Sequence, residues 1–438
     1  MVATAARPLP LAPPVTGVAA GEDLPPYHVP ASHFLVALAW LVGGSVGLVL
    51  VSPSLARGAW LSSGTAATVH AFTLGWLVTS AYGALYQLAP VVLGVRPKSL
   101  RLAPLVLVLH TLGTGLLVTG LGLWNPVCIA AGWTFVAVAL AIWTWNIGVR
   151  IAGAPRARLI AAHITAAYAA FWITLGLAGV RIGNAMGWWM VAREPLVAAH
   201  VQLAAVGFAG VLVMGLGSRL FPMFLMNRNV SEWPSRWCGA FALAGVLLQV
   251  CGWLGAIDQL VWAGGMMTAA GAGLFLLQAA RWVRSRARRT LDHPLQQLIA
   301  AFFLLAATLV VGLACLAWSR PQLIATYGIL LIVGSITLVI GAVYGRVLPF
   351  LTWLERYSPR AAGTVTGPKA TELLPKWSTG LTTSAWTTGA VVLAAGTGAG
   401  WPSVAVAGAV CFAIGSITGA QQYLRLVVPA LRAGARSA

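Results

Sequence analysis

Three of the seven histidines stand where an imidazole could bind a metal ion or a haem iron. His70 and His200 lie near the start of two long apolar segments, and His110 lies near the middle of a third. Imidazole nitrogens bind haem iron and copper, and a bundle of apolar helices excludes competing water. The sequence therefore predicts a cofactor site in which His70 pairs with His200 or His110, with His70 and His200 as metal ligands. A histidine bonded to a backbone carbonyl is the alternative interpretation of His110.

An internal repeat must position these histidines. Residues 68–90 read TVHAFTLGWLVTSAYGALYQLAP, residues 200–222 read HVQLAAVGFAGVLVMGLGSRLFP, and residues 327–349 read YGILLIVGSITLVIGAVYGRVLP. Each copy keeps a glycine at its eighth position and ends on proline, and the copies start 132 and 127 residues apart. His33, His163 and His293 are spaced at 130 residues, which indicates the same period. A unit of this length holds several helices.

Composition sets the class of the protein. The 438 residues are 59% hydrophobic and 8% charged, with a mean hydropathy of +0.86, so an all-α polytopic membrane protein is predicted. About twelve transmembrane helices are expected, in three pseudo-symmetric arcs of four at about 31–150, 155–285 and 293–432, all within one domain (31–432). Residues 1–30 are predicted to be a disordered cytoplasmic tail. The predicted spans are 33–52, 66–95, 102–122, 127–149, 157–180, 196–225, 235–255, 260–285, 294–318, 322–350, 378–397 and 401–431.

The distribution of charge predicts the orientation. Of the 27 lysines and arginines, 23 fall on one side of the predicted bundle, and the other side keeps Arg57, Arg181, Arg193 and Arg320. By the positive-inside rule both termini are expected in the cytoplasm, in a bacterial-type inner membrane. The net charge of +19 is thus explained by topology and contact with the lipid bilayer, and no nucleic-acid partner is predicted.

Polar residues on the three repeat helices predict that these helices form an inner ring, because polar groups avoid lipid and glycine permits close packing. The first repeat helix also carries an unusually polar face. A wet or polar surrounding beside this helix is one explanation of that face, and interhelical hydrogen bonding without a ligand is the other. The predicted polar lining consists of Tyr82, Tyr86, Gln87, Arg219, Tyr327 and Arg346.

The stretch HAFTLGWLVTSAYGALYQLAPVVLG resembles helix 2 of haem-copper oxidase subunit I, in particular the short relatives of the C-type oxidases. AAHVQLAAVGFAGVLVMGLGSRLF also resembles a segment of the NnrS family, membrane proteins of the nitric oxide response. The oxidase resemblance implies twelve helices in three arcs of four. It also implies that His70 is the helix-2 ligand of a b-type haem, and that His200 lies on the helix that supplies a copper ligand.

The sequence departs from that family at the oxygen-reducing centre. The predicted seventh helix, WCGAFALAGVLLQVCGW, has no histidine, and the tenth offers only Tyr327. We therefore expect a haem b or copper protein for electron transfer or nitric oxide handling, without a complete terminal-oxidase centre and with no catalytic residue assigned. Other membrane or periplasmic redox subunits would then supply electrons. A non-catalytic scaffold of a respiratory complex and a carrier for a small solute or metal are the alternatives.

Overall fold

The computed structural model describes residues 25–227, 233–357 and 367–434, so most of the predicted tail lies outside the described residues. Within these ranges the chain is helical and contains no strand. Twelve long helices follow one another: α1 His28–Ala56, α2 Ser63–Leu93, α3 Leu102–Leu123, α4 Pro126–Ala152, α5 Arg158–Ala185, α6 Arg193–Phe224, α7 Trp233–Gly255, α8 Asp258–Arg284, α9 His293–Ala317, α10 Pro321–Tyr357, α11 Lys376–Gly398 and α12 Pro402–Gly434.

Eleven of these helices are long and apolar enough to cross a bilayer. The remaining long helix, α11, has 23 residues and pairs with α12 through a short turn. The all-helical, polytopic fold class predicted from composition is confirmed. Each predicted span overlaps one observed helix, and the observed helices extend beyond most of the predicted bounds because polar residues continue the helices past their apolar cores.

Helix contacts recur three times along the chain. The hairpins α3–α4, α7–α8 and α11–α12 pack along their lengths. The helix that opens each group of four packs on the repeat helix that follows it, as α1 on α2, α5 on α6 and α9 on α10. Contacts of α4 with α5, α8 with α9 and α12 with α1 close the bundle. The repeat helices α2, α6 and α10 therefore lie inside, which explains why α2 and α10 are the two most buried spans and why α6, together with α5, comes next.

Each repeat helix contains an eight-residue π-helical segment, at Ala71–Val78, Leu203–Gly210 and Ile329–Ile336. Backbone amides in these segments bond five residues back, as from Thr79 to the Leu74 carbonyl and from Thr337 to the Ile332 carbonyl. The Thr79 and Thr337 hydroxyls donate to the same two carbonyls. Because π-helices are rare and usually single turns, three long ones at matching places indicate a shared structural requirement. The segment of α10 contacts those of α2 and α6.

The repeated glycine of each π segment faces the helix that opens its own group of four. A Cβ on Gly75 would lie 2.4 Å from the Trp40 ring of α1. A Cβ on Gly207 would meet Ala170 of α5 at 3.3 Å, and one on Gly334 would meet Leu304 of α9 at 3.1 Å. The glycine therefore sets the close approach of the inner and outer helices, most tightly in the first unit.

We name the two ends of the bundle by their residues. The histidine end is the end at which α2, α6 and α10 begin, and it carries His70 and His200. The basic end is the opposite one, with the clusters around Arg96 and Arg284. The histidine end is the one that the charge distribution predicts to be outside the cell, and this orientation stays a prediction.

Candidate functional site

A cavity of about 330 Å³ lies between the repeat helices at the histidine end. Its wall is largely apolar, and no aspartate or glutamate lines it among the described residues. His70 of α2 and His200 of α6 lie in the wall. Tyr327 of α10, the third repeat helix, lies in the same wall. An apolar cavity of this size with a few polar groups is typical of a cofactor or small-molecule site. We refer to it as the histidine cavity.

The ring of His70 is oriented by its own helix. Nδ1 donates to the Ala66 carbonyl, one turn earlier, at 2.7 Å. With the proton on Nδ1, the lone pair of the imidazole is on Nε2. Nε2 makes no hydrogen bond within the described part of the chain and is therefore the atom available to a ligand.

His200 is held in the same way by a different helix. Its Nδ1 donates to the Thr174 carbonyl of α5 at 3.1 Å, which again leaves the Nε2 lone pair free. The Thr174 carbonyl oxygen has two lone pairs, so it can accept this bond in addition to a helical one. Such an anchor on the second nitrogen is the usual partner of a metal-binding histidine, since it fixes both tautomer and ring direction.

The two imidazole rings lie close together, with centroids 6.1 Å apart and planes inclined by 29°. A transition-metal ion held by both Nε2 atoms at about 2.0–2.1 Å in a linear arrangement, with about 1.2 Å from nitrogen to ring centre, requires a centroid separation of about 6.4 Å. The observed separation meets that requirement to within a few tenths of an ångström. The predicted pairing of His70 with His200 is therefore compatible with one shared ion.

On the side of α10 the cavity is lined by Tyr327, whose hydroxyl joins a network of two amides that lie behind the wall. Gln202 stands at the repeat position of His70, and its Oε1 accepts from the Tyr327 hydroxyl at 3.2 Å. Its Nε2 donates to Gln249 of α7 at 3.0 Å. Tyr327 lines the cavity, and its hydroxyl is already bonded to Gln202. Gln202 was not among the predicted site residues, although its alignment with His70 singles it out.

Two arginines lie in the wall of the same cavity. Arg181 of α5 is half-buried, and its guanidinium lies 5.8 Å from the centre of the Trp124 ring. Arg193, at the start of α6, is exposed and donates to the Leu61 carbonyl at 2.8 Å. Neither arginine forms an ion pair in the described residues. The cavity therefore combines an apolar body with two positive groups at the helix ends, a combination the sequence analysis did not predict.

His110 lies elsewhere. It is fully buried on α3, its Nε2 donates to the Leu74 carbonyl at 2.9 Å, and it does not line the histidine cavity. The Leu74 carbonyl is the acceptor that the π turn of α2 offers to Thr79. The His110 Nδ1 makes no hydrogen bond within the described residues, but the ring does not line the cavity that contains His70, so the structure does not bring His70 and His110 together there.

Tyr82 and Tyr86 belong to a buried aromatic cluster between α2, α4 and α5. The Tyr82 ring lies 5.4 Å from Trp143, which stacks on Tyr168 at 4.0 Å. The Tyr86 hydroxyl accepts from Asn146 at 3.4 Å. Neither tyrosine lines the histidine cavity, and their contacts with Trp143 and Asn146 place both against α4. The aromatic partners lie on helices far apart in sequence, and no local pattern joins them.

The three basic or amide positions near the ends of the repeat helices differ from one another. Gln87 is buried and lines a second, smaller cavity. Arg219 is exposed and lines neither cavity. Arg346 pairs with Asp292 at the start of α9 and also lines neither. Equivalence in the repeat predicted a shared lining role for all three, but long arginine side chains reach past the helix ends to water and to Asp292.

Within the described ranges, no group of three or more His, Cys, Asp or Glu side chains is arranged to hold a metal ion. The histidine cavity consequently offers two imidazole ligands, which suits an ion whose remaining positions are filled by a macrocycle. No protein-family model matches this chain, and no curated protein sequence matches it.

Proposed function

We propose that this polytopic membrane protein binds a b-type haem in the histidine cavity, with His70 and His200 as the two axial ligands, and uses it for electron transfer or nitric oxide handling. The observation that carries the proposal is the pair of facing helices that hold two imidazoles 6.1 Å apart with both Nδ1 atoms bonded to carbonyls. The resemblance of α2 to helix 2 of haem-copper oxidase subunit I supports it from the sequence.

The wall of the cavity favours haem over a bare copper ion. Two imidazoles alone leave a Cu(II) ion short of ligands, and the described residues contain no group of three His, Cys, Asp or Glu that could hold it. A porphyrin provides four nitrogen ligands and needs an apolar enclosure. Arg181 and Arg193 provide positive charge for its two carboxylates, and no aspartate or glutamate of the described residues lines the cavity beside them.

In this proposal each residue has a physical task. The Ala66 and Thr174 carbonyls hold the two rings in the tautomer that leaves the Nε2 lone pair free. These hydrogen bonds also make the two Nε2 atoms better electron-pair donors to a metal. Apolar side chains such as Phe208 and Leu74 keep water away from the ligands. When bound, the haem supplies a one-electron couple, whose potential depends on the ligands and on burial.

The proposal does not include oxygen reduction. The histidines that hold copper and the second haem in haem-copper oxidases have no counterparts on α7 and α10 of this sequence. Electrons would be exchanged with another membrane or periplasmic subunit that approaches the histidine end, where the cavity lies.

The test is an optical spectrum of purified full-length protein, oxidised and dithionite-reduced, together with haem and copper analysis. We expect about one haem per chain in the wild type and a b-type α band that is lost in His70→Ala and in His200→Ala. His163→Ala, a buried histidine outside the cavity, is the matched control and should keep the band. Folded wild-type protein without haem, or with copper in its place, would refute the proposal.

A further inference from the structure

A second cavity of about 90 Å³ lies between the same three helices, on the side of the basic end. Its wall is almost entirely apolar. The Ser80 hydroxyl in this wall is satisfied, because it bonds both the Trp76 carbonyl at 2.6 Å and the Tyr344 hydroxyl at 2.7 Å. Gln87 lies at its far end. Apolar cavities of this kind stay dry and accept small apolar molecules such as xenon. We call it the axial cavity.

The two cavities share three wall residues, Leu77, Ala209 and Ile336. These occupy the same position in the three copies of the repeat, the tenth residue of each 23-residue segment. The shared residues therefore form a ring around the pseudo-threefold axis of the inner helices. We call it the axial ring. Ala209 is the smallest of its three members, so the side chains of Leu77 and Ile336 narrow the opening between the two cavities.

Equivalent triplets continue along the axis on both sides of the ring. Towards the basic end, the wall contains the triplets that begin at Ser80, Ala81, Ala84 and Leu88, each with both of its repeat partners. Towards the histidine end, complete triplets in register with Leu77 begin at Thr65, Val69 and Thr73, and a further complete triplet beside them begins at Thr68. One continuous face of each repeat helix, from the triplet of Thr65 to the triplet of Leu88, thus points to the axis.

The π segments explain how one face can follow the axis for so long. Between Thr65 and Leu77 the axial positions recur every fourth residue, whereas an α-helix has 3.6 residues per turn and would rotate them away. A π turn holds more residues than an α turn, so inserting one in each helix brings every fourth residue back to the same side. The three π segments at Ala71–Val78, Leu203–Gly210 and Ile329–Ile336 lie in this stretch.

We propose that the axis of the three repeat helices is a passage for a small, uncharged, apolar molecule of the size of a diatomic gas, which binds in the axial cavity and reaches the histidine cavity through the ring of Leu77, Ala209 and Ile336. The wall chemistry selects this class of molecule. Among the described residues, the complete triplets offer polar partners to an ion or a hydrated solute only near the histidine end, at Thr65, Thr68, Thr73, His200 and Tyr327, and the Ser80 hydroxyl further along is already bonded.

The role of such a passage rests on the proposed function, because the gas would be delivered to the imidazole pair. The binding itself does not, and it can be tested without any haem. Xenon is the probe, as an apolar atom of suitable size that is located directly by anomalous diffraction.

Crystals of the full-length protein would be pressurised with xenon and frozen after short and long exposures. In the wild type we expect xenon in both cavities. Ala84→Phe, which changes a residue of the axial cavity alone, should remove at least half of the xenon there and leave the histidine cavity filled. Ala204→Phe, the matched substitution in the histidine cavity alone, should have the reverse effect.

The axial ring is tested by changing its width. Leu77→Ala should add a xenon position between the two cavities, and Ala209→Phe should delay filling of one cavity relative to the other by several-fold. If the large side chain of Ala209→Phe prevents folding, Leu77→Ala still tests the role of the ring, since that substitution only removes atoms. The proposal is overturned if wild-type crystals hold xenon in the histidine cavity and none in the axial cavity, or if a lipid or detergent chain fills the axial cavity. It is also overturned if the rate and positions of xenon binding do not change with the width of the ring.

Discussion

His70 and His200 face each other although they are not equivalent positions of the repeat. In the alignment of the three segments the two histidines are offset by two residues. The residue of α6 that is equivalent to His70 in the repeat is Gln202. Around a threefold axis each helix meets its two neighbours with different sides, so contacts between copies are heterologous and join unlike positions. The histidine pair and the Gln202–Tyr327 bond are such contacts, between α2 and α6 and between α6 and α10.

The close approach of α1 and α2 predicts the effect of one methyl group. Gly75→Ala places a Cβ 2.4 Å from the Trp40 ring, so the two helices must separate or the indole must move. We expect a loss of about 1–3 kcal/mol in the free energy of unfolding, as for other overpacked cores. Thermal unfolding in nanodiscs measures it. Gly328→Ala, on a repeat helix with no atom within 4 Å of the new Cβ, is the matched control and should be neutral or stabilising.

His110 is predicted to stabilise the π segment without taking part in cofactor binding. His110→Leu removes the hydrogen bond to the Leu74 carbonyl, which keeps the Thr79 amide and hydroxyl as donors. The expected cost is therefore that of one hydrogen bond, about 0.5–1.5 kcal/mol. The variant should retain the haem content of the wild type in a pyridine haemochrome assay. Loss of haem from a stably folded His110→Leu protein would restore His110 as a ligand.

Asp292 is predicted to be the anchor between α9 and α10. It accepts from Arg346 and Arg288, and it caps α9 through the Leu295 amide at 3.4 Å. Asp292→Asn leaves the mostly buried Arg346 guanidinium without its anion, which we expect to cost about 1–3 kcal/mol. Arg288→Ala removes only the more exposed partner and should cost less than about 1 kcal/mol. Equal losses in chemical denaturation would contradict this difference.

The stability of the fold at alkaline pH should depend on Tyr27, which precedes α1. Its hydroxyl bonds Thr352 of α10 at 2.9 Å, and burial raises the pKa of Tyr27 to about 12. The unfolded chain loses this proton near pH 10, whereas the folded protein keeps it. The contribution of Tyr27 to the free energy of unfolding should therefore be complete below pH 10 and fall between pH 10 and 12. Unfolding followed over this range should be less dependent on pH in Tyr27→Phe, and an unchanged slope would refute the assignment.

The sequence was sufficient to predict the helices and the inner position of the repeat, because hydropathy and an aligned glycine are local signals. It was also sufficient to place His70 and His200 at the same end. It did not predict the π segments, since Ala71–Val78 has the composition of an ordinary apolar helix. Arg181 and the Thr174 carbonyl were missed because their positions depend on how α5 packs against α6, which no spacing along the chain encodes.

The most direct test of the central claim is the electron paramagnetic resonance spectrum of the oxidised protein, because it reports both axial ligands of a ferric haem. We predict a low-spin signal of two imidazole ligands in the wild type. His200→Ala should convert it to a high-spin signal while the α2 ligand His70 still holds the iron. Retention of the wild-type low-spin signal in folded His200→Ala protein, or the absence of any haem signal from folded wild type, would contradict a cofactor shared by His70 and His200.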